Sequence, residues 1–307
     1  MPRPVIYFLT GPSAVGKTEI SVRWARHLGA EILSCDSLLV YRGMDIGTAK
    51  PTSEERGGVV HHGIDIVAAS RQYSVSEYQQ VAKEVIAEIS ESGKRVLVVG
   101  GSGFYLKSFF SPVTDGLEVG RALREDVRAR YARGGLEGVL EELRHLNPKG
   151  LGGLDTRNPR RVMRGLERCL ASGQTLEELA EAFALQPAPY GDYEKRCVCL
   201  DRGREDLRER VAKRTHGMLA TGLLDEVSGL LETGVEANPS ACGAIGYRES
   251  IAFLRNEMTS DEMEAAINRN TMALTKKQET WLKKQVPVDL RIELEPGSGL
   301  QGEDFWW

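Results

Sequence analysis

The residues best suited to chemistry lie near the N-terminus, in the run GPSAVGKT at positions 11–18. This run fits the Gly-x-x-x-x-Gly-Lys-Thr pattern of a phosphate-binding loop, with an apolar run before it and a helix-like run after it. Backbone N–H groups of such a loop point at an anion, Lys17 adds a positive charge and Thr18 can hold Mg²⁺. We therefore predict that a diphosphate or triphosphate binds to Gly11, Pro12, Ser13, Ala14, Val15, Gly16, Lys17 and Thr18.

Two other polar residues follow predicted strands. Asp36 comes after the run 31–34, and Ser102 comes after the apolar run 95–99 and two glycines. Ligands collect at the carboxyl ends of parallel strands, so we expect both side chains beside the phosphate loop. For the glycine-rich corner before Ser102, a simple tight turn explains the pattern equally well.

The loop motif does not identify which phosphate compound binds. Most enzymes with such a loop place a carboxylate after an apolar strand to complete the magnesium site, but the strand 96–99 ends in glycine. Asp36 instead follows the strand directly after the loop helix, where kinases of nucleotides and small molecules often contact an acceptor. This placement is compatible with a diphosphate leaving group in the loop.

A cluster of arginines marks a later helix. Asn158 and Pro159 form an N-cap followed by an N1 proline, which predicts a helix start. At about 100° per residue, one stripe carries Arg160, Arg161, Arg164 and Arg168, with Arg157 just ahead of it. A solvated helix face and an anion-binding surface explain these charges equally well.

Strand-like and helix-like runs alternate from residue 5 to residue 107 and resume at residue 195, which predicts an α/β fold. The runs 121–131, 136–146 and 175–185 are helical with few strand signals. We predict a P-loop NTPase-like parallel-sheet core at 1–113 and 193–296, an all-helical insertion at 114–192 and a loose tail at 297–307. The irregular stretch 41–51 is predicted to be a long ordered loop.

Composition limits the possible binding partners, metal or disulfide sites and cellular location of the protein. The net charge of −4 argues against whole-molecule attraction to nucleic acid, so such a partner needs a local basic patch. The five cysteines show neither zinc-finger nor disulfide-framework spacing. Because there is no apolar run of membrane-spanning length and no signal peptide, we expect a soluble cytoplasmic protein that binds no membrane.

Six motifs occur together in this chain: GPSAVGKT, DSLLVYRGMDIGTAKP, GGSGFYL, NPRRVMRGLE, AIGYRE and KKQETW. In this order, over about residues 4–284, they resemble the tRNA dimethylallyltransferase family. The second motif is highly specific, whereas phosphate loops occur in many unrelated enzymes. The resemblance implies transfer of a dimethylallyl group from its diphosphate to the exocyclic amine of the adenosine beside the anticodon, in tRNAs that read U-initial codons.

The resemblance also implies roles for individual residues. Asp36 matches the catalytic aspartate, with Lys17 and Ser102 also in the catalytic set and Mg²⁺ at Thr18. Residues that match tRNA-contacting positions are Asp36, Ser37, Leu38, Leu39, Ser102, Arg124, Asn158, Pro159, Arg160, Arg161 and Val162. The implied partners are tRNA and dimethylallyl diphosphate, and we expect a monomer. Since the chain lacks the C-terminal zinc finger of many eukaryotic relatives, the bacterial type is the better match.

Three positions depart from the family pattern. Gly243 stands where relatives often carry Gln or Arg, Met272 stands where an arginine is usual, and Leu39 stands where many have Gln. The first two departures remove possible contacts to phosphates.

Three other functions are compatible with the motifs. An adenylate isopentenyltransferase would use the same donor with a free adenine nucleotide, although the arginine-rich insertion argues against it. An ATP-dependent small-molecule kinase would use Lys17, Thr18 and Asp36 in similar roles. A non-catalytic RNA-binding module is disfavoured by the intact loop and Asp36.

Overall fold

The chain, seen in a computed structural model that describes residues 3–296, is built on a six-stranded parallel sheet. The strands are β1 (Val5–Thr10), β2 (Ala30–Ser34), β3 (Tyr41–Arg42), β4 (His61–His62), β5 (Val67–Ala68), β6 (Arg95–Val99), β7 (Glu194–Arg202) and β8 (Leu290–Leu294). The sheet order is β4-β2-β6-β1-β7-β8, and every adjacent pair is parallel. The predicted α/β core is confirmed.

Twelve α-helices surround or follow these strands within residues 3–296. They are α1 (Lys17–Leu28), α2 (Ser53–Arg56), α3 (Val75–Glu91), α4 (Gly103–Lys107), α5 (Arg121–Leu146), α6 (Pro159–Ser172), α7 (Leu176–Ala184), α8 (Arg204–Ala220), α9 (Leu223–Glu232), α10 (Pro239–Cys242), α11 (Tyr247–Leu254) and α12 (Ser260–Gln285). A 3₁₀ turn covers Val235–Ala237. Ser74 and Glu77 form a reciprocal capping box at the start of α3.

The central strand β1 shows why the sheet has helices on both faces. Its side chains alternate, so Ile6 and Phe8 enter one apolar cluster while Tyr7 and Leu9 enter another. All four are buried. A strand covered on both faces reads as a continuous apolar run, which is the pattern found in the sequence. The carboxyl end of β1 then leads directly into the phosphate loop.

Within residues 3–296 the chain divides into two compact units, one formed by residues 3–110 with 189–296 and the other by Ser111–Ala188. The sequence placed the insertion at 114–192, so each boundary shifts by a few residues toward the N-terminus. The predicted tail at 297–307 lies outside the described residues.

The second unit has its own apolar core, with Val139, Leu143, Val162 and Leu166 at its centre. Two of its predicted helices are assigned as the single helix α5, which is interrupted at Gly135. Gly135 has φ 63° and ψ −163°, a conformation that favours glycine over residues with a Cβ atom. The helical character of this region therefore matches the prediction, with the break at the glycine between the two runs.

The stretch 41–51 is less irregular than predicted. It begins with β3, which pairs in parallel with β5 in a separate two-stranded sheet. A strand of two residues is too short to produce a periodic pattern in the sequence. All five cysteines are free thiols. No helix within residues 3–296 is long and apolar enough to cross a membrane.

Candidate active site

The phosphate loop connects β1 to α1 in the predicted place. Gly16 caps α1 with φ 106°, and a Cβ atom there would lie 3.4 Å from Arg210 Nη2. Gly11 has φ 148°, and a Cβ atom on it would meet the backbone oxygen of Leu200 at 2.5 Å. Gly11 is therefore required by conformation and by space, and Gly16 by conformation. The turn leaves the N-terminus of α1 open toward a cavity.

Lys17 lies inside this loop. Its Nζ donates hydrogen bonds to the carbonyl oxygens of Gly11, at 2.9 Å, and Pro12, at 2.7 Å. Burial lowers the pKa of Lys17 to about 8; the charge of Asp36 acts in the opposite direction and that of Arg214 acts in the same direction as burial. An anion bound here would favour the protonated amine.

Asp36, Ser37 and Ser102 lie at the carboxyl end of the sheet, where the sequence predicted Asp36 and Ser102, but Ser37 and Ser102 are not among the described residues that line the cavity. The Ser102 hydroxyl accepts a hydrogen bond from the Ser37 amide at 2.9 Å and lies 3.2 Å from the Ser37 hydroxyl. The Asp36 carboxylate accepts from the Leu38 amide at 2.9 Å, which fixes its direction. Asp36 and Leu39 line the same cavity as Lys17.

Three arginines near the loop have no predicted role. Arg202 Nε donates to the Val15 carbonyl at 2.7 Å, and Arg210 Nε donates to the Ala14 carbonyl at 2.8 Å. Arg214 Nη2 donates to the Thr48 carbonyl at 3.2 Å, and burial lowers its pKa while Asp36 raises it. Arg210 and Arg214 both line the cavity. Their spacing of four residues places them on one face of α8, which is the sequence feature that could have identified them.

Gln278 on α12 connects the two glycine-rich corners. Its Oε1 accepts from the Ser13 amide at 2.8 Å, and its Nε2 donates to the Gly101 carbonyl at 3.3 Å. The Ser13 amide, which was predicted to face the ligand, is thus already bonded to protein. Gln278 lies within the KKQETW motif, but only its partners show that it supports the phosphate loop.

The stretch 41–51 is held firmly beside the cavity. Buried Lys50 donates to the carboxylates of Asp45, at 2.5 Å, and Asp65, at 2.6 Å. The Glu226 carboxylate accepts from the amides of residues 45, 46 and 47 and from the Tyr247 hydroxyl, the last at 2.6 Å. These contacts order the wall that contains Thr48, Ala49 and Pro51.

The cavity bounded by these elements has a volume of about 590 Å³. Other residues of its wall are Ser13, Ala14, Gly16, Thr18, Glu19, Ser21, Ile32, Ser34, Glu55, His61, Ile64, Val99 and Gly100. His61 is not assigned a chemical role, because its Nδ1 lies 2.9 Å from the Val59 carbonyl and burial lowers its pKa. Three basic side chains line the cavity, those of Lys17, Arg210 and Arg214. Asp36 lines it together with two exposed carboxylates, Glu19 and Glu55. The basic side chains suit an anionic ligand, and Asp36 suits a reaction that needs a proton acceptor beside it.

The donor atoms also suit a magnesium ion carried by that ligand. No group of three His, Cys, Asp or Glu side chains that could hold a metal occurs among residues 3–296. Magnesium commonly binds through one or two protein oxygens together with substrate phosphates and water, so a protein cage is not needed. The Thr18 hydroxyl lines the cavity and forms no hydrogen bond within the described chain.

A larger cavity of about 1000 Å³ is lined by residues of α8 and α12, including Met272. It contains no residue of the phosphate loop, so it is not the candidate site. Leu39, another departure from the family pattern, lines the smaller cavity. Gly243 ends α10, and a Cβ atom there would lie 2.6 Å from the Pro239 oxygen. A longer side chain would require the backbone at position 243 to shift.

The second unit carries the predicted arginine stripe on α6. Asn158 caps the helix by accepting from the Arg161 amide, and Pro159 occupies its first turn, as predicted. The helix forms one wall of a cavity of about 470 Å³ that is lined by Arg160, Arg161, Arg164 and Arg168. Arg124 is exposed on α5.

The structure adds two facts about the predicted tRNA-contacting residues and arginines of this unit. Two arginines of α6 form ion pairs, Arg168 with Asp115 at 2.6 Å and Arg164 with Glu167 at 3.2 Å. Arg160 and Arg161 are exposed and have no ion pair in the described part of the chain. Val162 is fully buried, so its side chain packs in the core and only its backbone is available to a ligand.

Comparison with known families shows to which family this chain belongs. A family model described as IPP transferase matches residues 39–285, which is more than half of the chain. The chain belongs to the IPP transferase family. This chain is 50% identical, over 291 residues, to the tRNA dimethylallyltransferase of Opitutus terrae, with 95% of this chain and 94% of that protein covered. It is 36% identical, over 280 residues, to that of Clostridioides difficile, with 91% and 88% covered.

Solved structures agree with this affiliation. The chain is similar to the tRNA isopentenylpyrophosphate transferase of Bacillus halodurans, with a TM-score of 0.68, 32% identity and coverage of 95% of this chain and 90% of that chain. A eukaryotic dimethylallyltransferase acting on tRNA gives a TM-score of 0.80 at 23% identity, covering 94% and 74%. The second likeness supports the fold alone.

Proposed function

We propose that this chain transfers a dimethylallyl group from dimethylallyl diphosphate to the exocyclic amine of the adenosine next to the anticodon, in tRNAs that read U-initial codons. The observation that carries the proposal is the placement of Lys17, Arg210 and Arg214 around the same cavity as Asp36. The names of the relatives, which are tRNA dimethylallyltransferases, support it.

Asp36 is the proton acceptor in this proposal. The adenine nitrogen forms a bond to the first carbon of the allyl group while the bond from that carbon to the diphosphate oxygen breaks. The electron pair of the broken bond leaves with the diphosphate, and the amine proton passes to the Asp36 carboxylate. The hydrogen bond from the Leu38 amide keeps the carboxylate turned in one direction before the substrate binds.

The leaving diphosphate is stabilised by cations that are already in position. Lys17 donates hydrogen bonds to the carbonyl oxygens of residues 11 and 12, Arg210 to that of residue 14, and Arg214 to that of Thr48. Side chains held in advance need little reorganisation as negative charge develops, which is how such groups lower a barrier. Mg²⁺, held by Thr18 and the phosphates, would supply further positive charge.

The tRNA is held by two sets of residues in this proposal. One set surrounds the reacting base and consists of Asp36, Ser37, Leu38, Leu39 and Ser102. The other lies in the helical insertion and consists of Arg124, Asn158, Pro159, Arg160, Arg161 and Val162. Exposed arginines without ion pairs suit RNA phosphates. We further propose that the enzyme is a cytoplasmic monomer.

Incubation with unmodified tRNA, Mg²⁺ and labelled dimethylallyl diphosphate tests the proposal. Digestion to nucleosides and mass analysis should find the label on isopentenyladenosine, and parallel reactions with ATP should show no turnover. Label on free AMP instead of tRNA would indicate an adenylate isopentenyltransferase. ATP turnover without label on adenosine would indicate a kinase.

A further inference from the structure

An exposed aromatic ring lies at the carboxyl edge of the sheet. Phe104 on α4 is 63% exposed, and it is the one aromatic residue among the large apolar side chains that are exposed within residues 3–296. α4 begins directly after Ser102, whose hydroxyl is bonded to Ser37. The ring therefore lies only two positions along the chain from a residue of the candidate active site.

Trp281 on α12 accompanies this ring. The centroids of the Phe104 and Trp281 rings are 6.4 Å apart, and the ring planes are inclined by 56°. A Cβ atom on Gly103 would lie 3.0 Å from the indole, so the glycine lets the indole pack closely against α4. Trp281 also lies one turn after Gln278, which bonds to the phosphate loop. We call these two side chains the Phe104–Trp281 pair.

Positive charge surrounds the Phe104–Trp281 pair. Lys277 and Lys284 lie on the same face of α12 as Trp281, and Lys107 of α4 reaches that helix by donating to Gln285 at 2.8 Å. None of the three lysines has an ion pair within residues 3–296. The positions of α12 that share this face, 274, 277, 278, 281, 284 and 285, include no Asp or Glu.

We propose that the Phe104–Trp281 pair stacks on an unpaired RNA base that neighbours the acceptor adenosine. Aromatic rings between lysines are the usual platform for single-stranded nucleic acid, because any base can stack and the cations attract the phosphates. The inference rests on the proposed function, since it places a flanking nucleotide of the same tRNA. A base taken out of its stack for reaction leaves its neighbour without a partner, and the pair would supply one.

The position of the pair favours a base over the allyl group of the donor. Neither Phe104 nor Trp281 lines the 590 Å³ cavity that contains Lys17 and Asp36. The donor's diphosphate is expected inside that cavity, so its short allyl group is expected there as well. The three lysines, which form no ion pair within residues 3–296, would have no role toward the uncharged allyl group, whereas they suit a phosphodiester chain.

The test measures the affinity of the full chain for synthetic anticodon stem-loop RNAs. One RNA is intact, and two carry an abasic sugar on either side of the acceptor adenosine. Phe104→Leu should weaken binding of the intact RNA by about fivefold to a hundredfold, the range for loss of one base stack. The loss should disappear with one of the two abasic RNAs. Phe104→Tyr, which keeps the ring, should bind like the unmodified chain.

Two controls separate base stacking from a general effect of changing an exposed side chain and from an effect on donor binding. Leu254→Ala, which alters an exposed apolar side chain on α11, should leave RNA affinity unchanged. The affinity for the donor should be equal in Phe104→Leu and the unmodified chain. An unchanged RNA affinity, or an equal loss with all three RNAs, would overturn the stacking role. Because the readout is binding, it stays distinct from failure of the transfer reaction, which would overturn the proposed function itself.

Discussion

The phosphate-loop cavity and the arginine stripe of α6 hold positive charge in different ways. In the cavity, Lys17, Arg210 and Arg214 donate to backbone carbonyls, and burial lowers the pKa of Lys17 and Arg214. On α6, Arg160 and Arg161 are exposed and have no ion pair in the described part of the chain. Hydrogen bonds to carbonyl oxygens hold all three cations of the cavity, although Arg210 is itself exposed, whereas Arg160 and Arg161 are exposed and form no ion pair in the described part of the chain.

This difference indicates that the two sets of cations have different functions. Fixed, partly dehydrated cations act strongly on charge that develops at one point, so they suit a leaving group. Hydrated surface arginines attract many phosphates weakly and are screened by salt, so they suit the backbone of an RNA. Changes in the cavity should therefore reduce the rate of transfer, and changes on α6 should reduce the affinity for tRNA.

The largest effect in this comparison is expected from Lys17→Met. Loss of one fixed positive donor from the leaving-group site should reduce the transfer rate by about 10²–10³-fold. Single-turnover transfer at saturating tRNA measures this, and tRNA affinity should be unchanged. Lys83→Met, the same substitution at an exposed position of α3, serves as the control. A rate near that of the unmodified chain would show that Lys17 does not act on the leaving group.

The pH dependence of donor binding should also distinguish the two regions. Free Lys17 has a pKa lowered to about 8 by burial, and a bound diphosphate raises it. Above pH 8 the free amine has lost its proton and must regain one on binding, so donor affinity should fall by up to about tenfold per pH unit.

Equilibrium binding of labelled donor between pH 7 and pH 10 measures this effect. The Lys17→Arg variant keeps its positive charge throughout that range, so a plot of its log donor affinity against pH should show no change of slope near pH 8. Binding of tRNA to the insertion should also show no such change near pH 8, since Lys17 does not belong to the insertion. A flat profile for the unmodified chain would contradict the role of the Lys17 charge.

The smallest effect is expected from the pair of changes Arg160→Gln and Arg161→Gln. Two lost phosphate contacts should weaken tRNA binding several-fold and reduce the slope of log affinity against log salt by roughly 1.5. The transfer rate at saturating tRNA should be unchanged. Arg128→Gln with Arg133→Gln removes the same charge from α5 and should have a smaller effect on the slope. Equal effects of the two pairs of substitutions on the salt dependence would show that the arginines of α6 do not bind tRNA more than other exposed arginines do.

The local elements of the fold were predictable because their causes lie within a few residues. The phosphate loop with its flanking strand and helix, the capping box at Ser74 and the N-cap at Asn158 each depend on short spacings. The strand of Tyr41–Arg42 was missed because a two-residue bridge has no period. The paired state of Arg168 was missed because its partner, Asp115, lies 53 residues earlier.

The candidate site was predictable only in part, for the same physical reason. Asp36, Lys17 and Ser102 each follow a strand of one parallel sheet, so topology alone brings them together. Arg210 and Gln278 reach the phosphate loop across 196 and 265 residues of sequence. Contacts over such separations depend on how helices pack on the sheet, which no local pattern determines.

The central claim is that Asp36 accepts the proton of an RNA base while the phosphate loop holds a prenyl diphosphate. The most direct measurement compares the unmodified chain with Asp36→Asn in single-turnover transfer of labelled dimethylallyl groups to tRNA, with tRNA affinity measured alongside. Removal of the base should slow transfer by about 10²–10⁴-fold and leave tRNA affinity within a few-fold. Transfer by Asp36→Asn at the rate of the unmodified chain would contradict the account.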